Sequence, residues 1–197
     1  MTGAVPREVR ARFDGETITV YQAYPAAVAD PALEAGTFVD PFKRGRMTWI
    51  KPSFLWMMYR CGWATKTDQE RVLAIDITRS GFEQALAQSC LSHFDETRFT
   101  TAEEWRVAVR SSPVRVQWDP ERDLNLDPLP CRAIQIGLSG AAVEQYVENW
   151  ISGIRDIIPM VREIHAAVTA GNLEAAASLL PEERVYPLPA ALAERIA

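Results

Sequence analysis

Residues 71–77, RVLAIDI, set the strongest limit on what this chain can become. A run of aliphatic and β-branched side chains interrupted by one Asp reads as a strand buried in a sheet. Such a strand needs partners, and the sequence offers several. Thr17–Tyr24, TITVYQAY, follows a turn-like Asp14-Gly15 and is rich in β-branched and aromatic residues, which predicts the first strand. A short second strand is predicted at 47–50. Residues 114–118, VRVQW, alternate with period two and predict another, ending in a turn at 119–122, DPER. CRAIQIGL, 131–138, predicts a further strand closed by Gly137.

Helical spacing fills the intervals. Pro25 opens a short helix to about residue 34, which Gly36 closes. The next interval, 37–46, carries Gly, Pro and three basic residues and reads as a cationic loop. Pro52 suits the first position of a helix ending near Gly62, because its missing N–H would be unpaired there anyway. Thr78 or Ser80 caps a helix running to about Ser89, and 102–110 predicts another. Ser139 is expected to cap a long helix in which Val143, Tyr146, Trp150, Ile154 and Ile157 extend to a break before Pro159. Residues 161–170 and 173–180 are further helices, parted by Gly171-Asn172. The tail after Pro181 is expected to be peripheral. This order predicts an α+β fold in one domain, residues 1–197 with a core of about 8–189. Its central sheet is mixed or antiparallel and its C-terminal third helical.

Charge narrows the function. With 21 basic against 26 acidic side chains the net charge is -5, so broad attraction to nucleic acid or an anionic membrane is not expected. Cys61, Cys90 and Cys131 are odd in number and have no metal-ligand spacing, which fits a reducing cytoplasm. Neither a signal-peptide pattern nor a membrane span of roughly 18 apolar residues is present, so a cytoplasmic protein without a membrane partner is expected. The phosphate loop GxxxxGK[ST], GxGxxG, HExxH and GxSxG are all missing. The two histidines, His93 and His165, give a nucleophile pair few ways to form. Asp119, Glu121 and Asp123 alternate in a way that could hold a hard cation, yet Pro120 and Arg122 favour a solvated turn, and no metal is assigned.

One stretch stands out chemically: 47–63, MTWIKPSFLWMMYRCGW. On a helix from Pro52, residues 55, 58, 59 and 62 share one face and form an adequate core stripe. Ser53, Trp56, Arg60 and Trp63 share another. Indole rings beside a guanidinium suit a flat anion, with Lys51 and Lys66 adding point charges. Equally, the two Trp can finish the core beneath Arg60. Neighbouring strands carry Tyr21, Gln22 and Tyr24, then Arg115 and Gln117 before Trp118, then Arg132 and Gln135, which form either an internal polar network or a cleft lined for an anion.

VYQAY at 20–24, RMTWIKPSFLWMMYRCGWATK at 46–66, QERVLAIDITR at 69–79, VRVQWDPERD at 114–123 and IQIGLSG at 134–140 resemble a bacterial and fungal family, domain of unknown function 4291. The likeness covers about residues 8 to 189, with Cys61 where the family pattern has Ser. It implies a self-contained intracellular domain and brings no catalytic roles. A looser similarity in element order is to ADP-ribosyltransferase-like folds, including RNA phosphotransferases. That similarity implies a nicotinamide dinucleotide cofactor, with Gln22, Ser53 and Asp119 or Glu121 taking the polar and acidic parts.

The leading expectation is a cleft for a nucleotide or other phosphate-bearing ligand, built from 49–66 and the strands holding Gln22, Tyr24, Arg115 and Gln117. If it is an enzyme of phosphate or ADP-ribosyl transfer, Asp119 or Glu121 is the general base, and Arg60 with Lys51 stabilises phosphate charge. NAD or another nucleotide is the expected cofactor. Two other classes stay open: a partner or homo-oligomer surface centred on Trp56, and recognition of single-stranded nucleic acid by stacking.

Overall fold

The computed structural model describes residues 5–197. β2 (Thr17–Tyr24) lies antiparallel to β4 (Arg71–Thr78) over eight consecutive pairs, from Thr17 opposite Thr78 to Tyr24 opposite Arg71. β8 (Ile151–Asp156) takes the other edge of β4, giving a three-stranded sheet. A second sheet has the order β3 (Thr48–Ile50), β7 (Pro128–Leu138), β6 (Val114–Arg122), β5 (Ser89–Leu91); all its pairs are antiparallel except β5 with β6. The fold is α+β, as the sequence predicts.

Side-chain alternation on β2 and β4 decides the layering. Ile18, Val20, Leu73, Ile75 and Ile77 face a core shared with Val114, Val116, Ile134, Ile136 and Leu138 of the second sheet. Tyr21, Val72 and Ala74 face the opposite way, into a core closed by α2 (Phe54–Cys61), α6 (Ile158–Thr169) and α7 (Leu173–Ser178). The three-stranded sheet is therefore a middle layer. Where the two sheets meet, Tyr21 N donates to Lys51 O at 2.8 Å and ties β2 to the end of β3.

Five expectations need correction. Pro52 precedes the helix; Ser53 is its cap, its Oγ accepting from Trp56 N at 3.1 Å. The buried stripe of α2 is Phe54, Met57, Met58 and Cys61, one residue away from the expected one. So many neighbouring positions here are apolar that periodicity does not choose a face; packing against Tyr21 does. The turn expected at 119–122 is strand: β6 continues to Arg122 with a register irregularity after Pro120, and Asp123 Oδ1 accepts from Asn125 N and Asp127 N in the true turn. The helix expected to run to 157 stops early. α5 (Ala141–Gln145) leads into one wide π turn, Tyr146–Trp150, and then β8, because β4 has a free edge whose backbone groups need partners.

The tail is not peripheral. β9 (Arg184–Val185) pairs with β1 (Arg10–Ala11), Tyr186 and Ile196 are buried, and Ile196 O accepts from Trp118 Nε1 at 2.6 Å. The remaining helices, α1 (Ala26–Ala35), α3 (Arg79–Ala87), α4 (Ala102–Ser111) and α8 (Ala190–Ile196), cover the sheets from outside. Among the described residues no helix is long and apolar enough to cross a membrane.

Candidate functional site

The inward row of β2 runs Ile18, Val20, Gln22, Tyr24, and it turns polar where the strand leaves the core. Gln22 is only 3% exposed, so its amide must be satisfied within the protein. Tyr146 on the π turn donates to Gln22 Oε1 at 2.7 Å, which fixes which way the amide points. Gln22 Nε2 donates to Thr48 Oγ1 at 2.6 Å and Tyr24 Oη at 2.9 Å, with Trp49 O farther off at 3.3 Å. Tyr24 Oη and Thr48 Oγ1 lie 3.1 Å apart. One of those two hydroxyls donates to the other, so one hydroxyl hydrogen is left over. Burial pushes the Tyr24 phenol up to about 12, which keeps it protonated at neutral pH.

These groups stand on the wall of a cavity of about 550 Å³ between α1, the cationic loop, β3 and α2. Phe42, Met47 and Trp49 give it apolar surface. Lys43, Arg46, Lys51 and Arg60 give it positive charge, against one acid, Asp68. None of the four basic groups forms an ion pair among the described residues. Lys51 differs from the other three in being buried, at 6% exposure. Its Nζ donates to Trp49 O at 3.2 Å. Burial, reinforced by the charge of Arg60, lowers the Lys51 ammonium to about 8. Trp49 crosses Gly137 of β7 so closely that a Cβ there would lie 3.0 Å from the indole.

Of the residues singled out from sequence, Gln22, Tyr24, Lys51 and Arg60 meet at this cavity. The others lie elsewhere. Trp63 is buried and stacks on His165, with ring centres 5.3 Å apart. Trp56 is buried as well, stacked on Tyr59 beneath Arg122, and its Nε1 has no acceptor among the described residues. An interface centred on Trp56 loses its anchor, since the indole is inside. Lys66 turns back on α2, donating to Arg60 O at 2.8 Å and capping the helix end.

Ser53 and Glu121 pair in the interior, Ser53 Oγ donating to Glu121 Oε1 at 2.9 Å. Burial raises the Glu121 carboxyl, and raises neighbouring Glu183, which accepts from Phe54 N at 2.7 Å, to about 8. Asp119 instead accepts from Gln117 Nε2 at 3.0 Å and Gln135 Nε2 at 2.7 Å on the outer face of the second sheet, where Arg115 also stands. The two carboxylates named as general bases are thus engaged by different partners, and neither lines the cavity. Sequence reasoning did not single out Thr48, Lys43 or Arg46. The basic composition of 37–46 was the signal for the last two; what was missing was the fold that brings that loop over β2.

The model for a domain of unknown function, DUF4291, matches residues 8–186. The chain belongs to this family. No curated protein matches it.

Proposed function

We propose that the protein binds a small phosphate-bearing ligand, a nucleotide or a compound of similar size, in the cavity over β2. The observation that carries this reading is four basic side chains, without ion-pair partners among the described residues, around one hollow in a chain of net charge -5. Confining positive charge against low-dielectric walls strengthens its attraction for an anion. Cavity size agrees, because small-molecule sites typically span about 300–1,000 Å³. Trp49 and Phe42 offer flat apolar surface for a ring, Arg60 and Arg46 offer forked donors for phosphate, and the spare Tyr24 or Thr48 hydroxyl hydrogen offers one directional donor. A single nucleotide fills such a volume, which favours it over a tracked nucleic-acid strand.

This is a reading of binding. Asp119 and Glu121 take no part in it, and Gln22 acts by holding Tyr24 and Thr48. The ADP-ribosyltransferase-like alternative survives here only as a choice of ligand, nicotinamide dinucleotide. Calorimetric titration with ADP, nicotinamide dinucleotide and pyrophosphate tests the reading. At least one ligand should bind the native protein and lose about tenfold or more in affinity in Arg60→Ala, the loss of one charge-assisted contact. No heat from any of the three ligands, or unchanged affinity in folded Arg60→Ala, would overturn it.

A further inference from the structure

We infer that Lys51 is an amine nucleophile that condenses with the aldehyde or ketone of a small phosphate- or carboxylate-bearing compound; this rests on the anion-binding reading above. The first argument is the choice of residue. Of the 21 basic side chains only three are Lys: Lys43, Lys51 and Lys66. Arg serves wherever this protein needs a permanent cation, as in the pairs of Arg44 with Glu144 and Glu148, Arg71 with Asp30 and Asp156, and Arg155 with Asp76. An ammonium can shed its proton where a guanidinium cannot. Two of the three Lys line this one cavity, and of the three only Lys51 is buried.

The second argument is what surrounds the amine. Nζ has a single acceptor, the Trp49 carbonyl, and no carboxylate within ion-pair distance among the described residues. A close carboxylate would hold the proton on. Instead the Arg60 guanidinium disfavours it, while Cys61 and Asp119 act in the other direction. With burial as the main cause, the ammonium falls to about 8, so free amine is present near neutral pH. The main chain at this position is also fixed, because the Lys51 carbonyl accepts from Tyr21 N and Pro52 follows.

The step balances without an oxidant or a cofactor. The neutral Nζ lone pair attacks the carbonyl carbon, and the C=O pair moves to oxygen, which takes up a proton as the nitrogen gives one up. The resulting carbinolamine loses that oxygen, with a second proton, as water while nitrogen forms the C=N bond and sheds its remaining hydrogen, so that amine plus carbonyl gives imine plus water. Lys43, Arg46 and Arg60 would hold the anionic end, and the spare Tyr24 or Thr48 hydrogen is a proton donor on the same wall.

The experiment treats the native protein with pyridoxal 5′-phosphate at pH 8, traps imine with cyanoborohydride and locates the adduct by peptide mass mapping. Free amine at Lys51 should exceed that of an ordinary Lys on the order of 100-fold at this pH, and the lower basicity of the nitrogen offsets part of that gain. The expected result is modification of Lys51 at least about tenfold faster than of Lys43 or Lys66. Equal or faster reaction at those amines overturns the inference, and the readout does not depend on any variant folding. Repeating the experiment with pyridoxal, which lacks the phosphate, separates the two readings. Equal rates at Lys51 for both aldehydes would sink the anion site and leave the nucleophile. No adduct at Lys51 from either, with calorimetric binding intact, would sink the nucleophile alone. A folded Lys51→Arg should lose the adduct, because a guanidinium does not shed its proton to become a nucleophile.

Discussion

Replacing Lys51 with Met should make the protein more stable at neutral pH and less able to hold an anion. Lys51 is 6% exposed and its ammonium has a single carbonyl as acceptor, so its charge is held inside at a cost. Met has similar length and fits irregular apolar space beside Met57. The size of the effect follows from linkage. An unfolded Lys titrates at 10.5, whereas Lys51 in the folded protein titrates at about 8. Between those values the unfolded chain binds the extra proton, so native stability rises with pH across that window. From pH 7 to pH 10 this single group contributes a rise of roughly 2–3 kcal/mol. The advantage of Lys51→Met over the native protein should therefore be largest at pH 7 and shrink by that amount by pH 10. Urea unfolding of both proteins at several pH values measures the gap, and groups common to the two, such as Tyr24 and Tyr186, cancel. A gap that is flat with pH, or that widens, would refute the claim that Lys51 is a buried and strained cation.

Three further outcomes follow from contacts elsewhere. Glu183 titrates at about 8 instead of 4.5, chiefly through burial. The folded state thus keeps its proton longer than the unfolded one, and native stability should fall as pH rises from 4.5 through 8. Glu183→Gln should remove roughly 3 kcal/mol of that fall, as seen in urea midpoints at pH 5 and pH 8. Gly137→Ala would set a Cβ 2.9 Å from Met47 Sδ and 3.0 Å from Trp49, displacing one wall of the cavity. It should cost about 1–3 kcal/mol and weaken ligand binding, measured by melting and calorimetry. Gln22→Leu strips the buried Tyr146 hydroxyl of its acceptor and should cost about 2–4 kcal/mol; in the Tyr146→Phe background the cost should be smaller, a non-additivity that a double-mutant cycle reads directly.

Most of the fold is written locally. β2, β4 and α1 were legible because alternation, β-branched residues and the Gly36 stop all pointed one way. β8 was not, since Trp150, Ile154 and Ile157 carry helical spacing and only the open edge of β4 turns the segment between them into strand. β6 was cut short for a similar reason: DPER has turn composition, and its place in a long hairpin depends on β7. At the site, the polar end of β2 and the cations Lys51 and Arg60 were readable as chemistry. The two Trp of α2 were not, because aromatic residues serve a core and a binding wall equally well. Trp49, from the adjoining strand, supplies the indole instead.

The most direct test watches the six indoles. With ¹⁵N-labelled protein and assigned Trp Nε1–H resonances, ADP is added to saturation. The account predicts that Trp49 moves most, while Trp56 and Trp63, sealed beneath Arg122 and against His165, stay nearly still. Large shifts at Trp56 or Trp63 with Trp49 unmoved, or six silent indoles alongside calorimetric binding, would place the ligand elsewhere and contradict it.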